Sequence, residues 1–91
     1  MQKAIHCVIS GRVQMVMYRD FATRTATKMN IVGCVQNISD GSVDLVAEGE
    51  ENALLMYIEA LKKGSLLSHV EQVDVHWQVA EGEYSTFDIV Y

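Results

Sequence analysis

KAIHCVISGRVQMVMYRDFATRTATKM, residues 3–29, holds a change of period on which the fold turns. From Lys3 to Ser10 apolar residues alternate, with Ile5, Cys7 and Ile9 to one side and His6 and Val8 to the other, as in a half-buried strand. From Tyr18 to Met29 the spacing changes to three and four. Tyr18, Phe21, Ala22, Thr25, Ala26 and Met29 then share one stripe of a helix that Asn30 closes. Between them, Gly11 to Met17 is too short to be anything but a loop feeding a helix N-terminus. Such a junction is a backbone-lined anion site, because unpaired N–H groups point at the ligand and the dipole favours negative charge. Arg19 adds a permanent charge and a forked donor suited to phosphate.

Working outward, Val32 to Gln36 reads as a second strand, and Val43, Leu45 and Ala47 mark the inner side of a third. Ser39-Asp-Gly41 between them is a hairpin signal, since Asp-Gly suits a turn with positive φ. Glu50 and Glu51 open a second helix whose stripe is Leu54, Tyr57, Ile58 and Leu61, and Lys62, Lys63 and Gly64 close it. A fourth strand has Val73, Val75, Trp77 and Val79 inward and Asp74, His76 and Gln78 outward. Glu81-Gly-Glu83 reads as a turn, and Phe87, Ile89 and Tyr91 as a last strand. The order βαββαβ, with both helices covering one apolar sheet face, predicts an α+β two-layer sandwich of ferredoxin-like topology, its antiparallel sheet of four to five strands.

Composition narrows the functions available. The 91 residues make one domain, 1–91, and 49% hydrophobic with 21% charged residues is too apolar for disorder. No apolar run reaches membrane-spanning length, and no leader pattern precedes the first strand. A net charge of −5 argues against nucleic acid, whose binding rests on a positive field. An RNA-recognition module shares this topology but needs aromatics on its central strands; the first strand and residues 41–49 have none. Cys7 and Cys34 carry no metal spacing and are expected to be free thiols in a reducing cytoplasm. His6, His69 and His76 lack close ligand spacing, so no metal and no cofactor are expected. The methionines read as gap-fillers.

Two stretches carry a family resemblance. Gly11-Arg-Val-Gln-Met-Val-Met-Tyr-Arg19 and Gly33-Cys-Val-Gln-Asn37-Ile-Ser-Asp-Gly41-Ser-Val43 resemble the paired signatures of the acylphosphatases, Gly-x-Val-Gln-Gly-Val-x-(Phe/Tyr)-Arg and Gly-(Trp/Tyr)-Val-x-Asn-x-x-Asp-Gly-x-Val. The family's closing Phe-x-Ile is matched by Phe87-Asp-Ile89, so the likeness spans the chain. The resemblance implies the ferredoxin-like fold and metal-independent hydrolysis of small acyl phosphates to a carboxylate and inorganic phosphate, by a monomer. It implies that Arg19 and the amides of Gln14, Met15, Val16, Met17 and Tyr18 hold the phosphoryl group, and that Asn37 orients the attacking water. Arg12 would have a minor electrostatic role, and Asp40 and Gly41 only form the turn.

One position departs from the pattern: Met15 stands where the family has its second loop glycine. If the loop is left-handed there, a side chain costs roughly 1–2 kcal/mol. A second expectation therefore stands beside the first: an anion-binding domain of the same fold with weakened or no turnover. Gln36, in place of a basic residue common before the asparagine, removes a nearby positive charge. Ser65 stands where the family often has proline after Gly64, which bears on stability.

Overall fold

The computed structural model describes residues 1–91. Alternation carries β1 over Gln2–Arg12, two residues further at its end than the apolar pattern, through an irregularity in its pairing at Ser10/Gly11. The helical stripe gives α1 at Tyr18–Lys28. Met29 caps it, and Asn30, at φ 58°, turns the chain out. The elements that follow are β2 (Val32–Asn37), β3 (Val43–Glu50), α2 (Glu51–Lys63), β4 (His69–Gln78) and β5 (Phe87–Ile89). The sheet order is β4-β1-β3-β2-β5.

Both helices cover one face of this sheet. Ile5, Cys7, Ile9, Val35, Leu45 and Ala47 meet Tyr18, Ala22 and Ala26 of α1 and Leu54, Tyr57 and Leu61 of α2 in one buried core. Two tyrosine hydroxyls lock the helices together inside it. Tyr18 Oη donates to the Leu61 carbonyl at 2.7 Å and Tyr57 Oη to the Ala22 carbonyl at 2.8 Å. Each buried hydroxyl thus has a partner and adds direction to an otherwise non-directional core. The predicted two-layer α+β sandwich is the observed fold.

Four expectations are corrected. β5 pairs with β2 in parallel, Gly33 opposite Phe87 and Val35 opposite Ile89, so the sheet is mixed rather than wholly antiparallel. Val73 and Val75 pack against the core, but Trp77 is 44% exposed, and Val79, at 84%, lies beyond the strand. β4 is an edge strand, and its far end runs past the cover of the helices. Tyr91 likewise lies beyond β5 and is not part of it. The Glu81–Glu83 segment closes no hydrogen-bonded turn; Gly82 takes φ 70°, and the Glu81 N–H donates to Glu48 Oε2 at 3.2 Å.

The register also separates the cysteines. Cys7 lies opposite Leu45, whose partner on β2 is Val35, all facing the helices. Cys34 lies opposite Val46, the partner of His6, on the other face. Both thiols are free, and burial pushes that of Cys7 up to about 12, which leaves it inert at neutral pH.

Candidate active site

Topology brings the two sequence signatures together. β1 and β2 both run antiparallel to β3, and β5 runs parallel to β2, so the C-terminal ends of β1, β2 and β5 share one edge of the sheet. Ile9, Val43 and Asn37 form a row across it. The loop after β1, the hairpin after β2 and the tail after β5 therefore converge.

The loop is built as a concave run of amides. Met15 and Met17 both take left-handed conformations, at φ 61° and 62°, with Met17 as the N-cap of α1. Left-handed residues interspersed with others turn successive N–H groups to one side, which makes an anion nest. No backbone carbonyl accepts from any N–H between Gln14 and Asp20. Met17 makes no side-chain cap either, so the orphan donors of the helix start remain free for a ligand. The conformation suspected at Met15 is real, and it extends to Met17. Each costs about 1–2 kcal/mol relative to a right-handed residue.

Gln14 fixes this nest to the hairpin. Its Nε2 donates one proton to the Ile38 carbonyl and one to the Ser42 carbonyl, both at 2.8 Å. The hairpin is in turn closed by Ile38 N–H to the Ser42 carbonyl at 2.9 Å and Gly41 N–H to the Ile38 carbonyl at 3.0 Å. Asp40 Oδ1 accepts from the Ser42 N–H and hydroxyl at 2.9 and 2.6 Å, which holds its carboxyl below the ordinary carboxylate range. Gly41 takes φ 96°. Asp40 and Gly41 thus form the turn, as expected.

Asn37 is the last residue of β2, immediately before that turn. Its Oδ1 is buried and accepts no hydrogen bond from the protein. An unpartnered buried amide oxygen costs about 1–3 kcal/mol and in native proteins usually serves a purpose.

Arg19 lies in the first turn of α1 and lines a cavity of about 410 Å3 with Val13, Met15, Met17, Tyr18, Asp20, Ile89 and Tyr91. Asp20 is no competitor for it, because Asp20 pairs with Arg24 at 2.9 Å, and Arg19 forms no ion pair of its own. Instead its guanidinium carbon sits 5.0 Å from the centre of the Tyr91 ring. A cation over an aromatic face is steadied without being neutralised, so the charge remains available.

The expected site residues divide by role. Met15, Met17, Tyr18 and Arg19 line one cavity, and Gln14 ties their loop to the hairpin bearing Asn37. Val16 is half-buried against the core, and the Tyr18 side chain is buried, so only their amides can serve. The clamp by the Gln14 side chain and the ring of Tyr91 on Arg19 were not foreseen. Glutamine inside the motif was a usable signal for the first; nothing in the sequence marked the second. Arg12 is exposed. His6 faces away from the helices and contacts Asp44 at 2.7 Å, and no three His, Cys, Asp or Glu residues gather as a metal site.

Strain at Met15 yields a direct expectation. Met15→Gly removes the left-handed penalty but makes the unfolded chain more flexible, so the net gain in stability is up to about 1 kcal/mol. Urea unfolding should show a higher midpoint at unchanged slope. A lower midpoint would mean that the Met15 side chain contributes packing that its full exposure does not suggest.

Fold and candidate site together define a small α+β two-layer domain with a run of unpaired loop amides beside one unpaired arginine. Comparison with known proteins narrows this further. The acylphosphatase family model matches residues 5–89. An acylphosphatase of Salinibacter ruber is 42% identical over 88 residues, covering 97% of this chain and 93% of that protein. The crystal structure of the Bacillus subtilis acylphosphatase superposes with a TM-score of 0.94 at 38% identity, covering all of both chains. The structure of an acylphosphatase from Coxiella burnetii gives a TM-score of 0.92 at 34% identity over 98% of this chain and 93% of the other. The chain belongs to the acylphosphatase family, hydrolases acting on the acid anhydride of acyl phosphates. The expectation of an inactive domain is not favoured.

Proposed function

We propose that the phosphoryl group of a small acyl phosphate sits in the nest of free N–H groups from Gln14 to Tyr18, with Arg19 on its equatorial oxygens and Asn37 holding the attacking water. The observation that carries this reading is the unpaired run of amides around two left-handed residues. An acyl phosphate has a good carboxylate leaving group, so positioning and charge stabilisation suffice. The water oxygen attacks phosphorus while the bond from phosphorus to the carboxyl oxygen breaks. The carboxylate leaves with that electron pair, and the water proton passes to phosphoryl oxygen, giving a carboxylate and inorganic phosphate. Asn37 Oδ1, lacking a protein donor, accepts one proton of the water in a hydrogen bond and so turns its lone pair toward phosphorus. All these residues come from one chain, which fits a working monomer, and the two free thiols fit a reducing cytoplasm.

Steady-state hydrolysis of a simple aryl acyl phosphate tests the reading. Asn37→Ala should lower kcat by about a hundredfold, the scale on which one oriented polar group acts in a transition state, with a much smaller change in KM. A variant within threefold of the parent would remove Asn37 from the mechanism.

A further inference from the structure

Single exposed apolar side chains need no explanation, but contiguous ones mark a site. Beside the phosphate loop, Met17, Leu66 and Leu67 are 70%, 98% and 62% exposed and line one groove of about 450 Å3. It runs between the start of α1 and the connection from α2 to β4, with Val16 and Phe21 beneath. Its one charged member, Arg24, is paired with Asp20 at 2.9 Å, so it presents no free cation. Met17 lines both this groove and the cavity that holds Arg19. The two therefore adjoin, with a single flexible thioether between them, a side chain that adapts to varied apolar partners.

We propose that this groove receives the acyl chain of the substrate, and that the protein prefers acyl phosphates with an extended apolar acyl group over acetyl phosphate. The inference rests on the phosphoryl group lying at Arg19. From there the acyl chain crosses Met17 and lies along Leu66 and Leu67. Those two leucines gain no fold stability from their exposed positions, and a hydrocarbon chain is the occupant that the adjoining reaction itself supplies. Polar acyl chains gain nothing from such a wall.

The test is kcat/KM for acetyl, butanoyl, hexanoyl and octanoyl phosphate, kept below micelle-forming concentrations, with the parent protein and a Leu66→Ser/Leu67→Ser variant. Full burial of a methylene is a gain of roughly fourfold, and a half-open groove should give about twofold for each. The parent should therefore favour octanoyl over acetyl phosphate by roughly 60-fold. The variant should lose about tenfold on octanoyl phosphate while keeping acetyl phosphate within about twofold. A flat series with normal acetyl phosphate turnover overturns the inference alone, as does equal loss on both substrates in the variant. A flat series together with a dimer that dissociates in the variant assigns the groove to a second copy of the chain instead. No hydrolysis of any member overturns the Arg19 site and this inference with it.

Discussion

Arg19→Ala should lower kcat/KM for acyl phosphates by about a thousandfold or more, the low end of what an arginine supplies in phosphoryl transfer. The reason is the absence of a substitute. Arg19 is the only cation lining its cavity, and the protein carries a net charge of −5, so no general positive field attracts the substrate. Nor is the charge spent elsewhere, since Asp20 pairs with Arg24. Arg19→Lys should recover only part of the activity, because a point charge cannot span two phosphoryl oxygens as the planar fork does. Folding should hardly change in either variant: the side chain is half-exposed, and its contact with Tyr91, at 5.0 Å, is worth about 0.5–1 kcal/mol. Activity within tenfold of the parent at unchanged melting temperature would show that the amides alone bind the phosphoryl group.

The contrast between Arg19 and its ring partner shows which parts of the site the sequence makes legible. Arg19 is readable because its neighbours in the chain fix it at a loop–helix junction. Asn37 is readable because it precedes a turn with its own local chemistry, Asp40 bonded to Ser42 and Gly41 at positive φ. Tyr91 is a different case. It reaches Arg19 only because β5 pairs in parallel with β2, and neither alternation nor propensity encodes which neighbour a short strand chooses. Gln14 shows the same limit, since its acceptors at Ile38 and Ser42 lie across the site. The period of Val73 to Trp77 continues correctly, but Trp77 is exposed and Val79 falls outside the strand because periodicity says neither how far the helices extend over an edge strand nor where that strand ends. The left-handed conformation of Met17 was not legible for another reason. A left-handed residue is expected to be glycine, and here the backbone is held there without one.

Backbone geometry is also where the fold is most vulnerable, and Gly33 is the sharpest instance. Gly33→Ala should destabilise the protein by about 3–5 kcal/mol, the sum of overpacking and of a conformation that side chains avoid. Gly33 lies in β2 between two neighbours, opposite Ala47 on β3 and Phe87 on β5, and its N–H donates to the Thr86 carbonyl at 2.9 Å. Its φ is 150°, and a Cβ built there would overlap the Val46 carbonyl, which is backbone and cannot rotate away. To make room, β2 must part from β3 or from β5. The first loosens the strand that ends in Asn37, and the second moves the tail that carries Tyr91 onto Arg19. A domain of this size has only about 5–14 kcal/mol of stability, and each kcal/mol is about 5 °C in Tm. The melting temperature should therefore fall by roughly 15–25 °C, and residual activity at low temperature should fall as well. Gly41→Ala makes a useful control: Gly41 also has positive φ, at 96°, but nothing lies within 4 Å of its missing Cβ. It should lose only about 1–2 kcal/mol. Equal melting temperatures for the two variants would mean that left-handed strain, rather than the clash with Val46, decides the cost at Gly33.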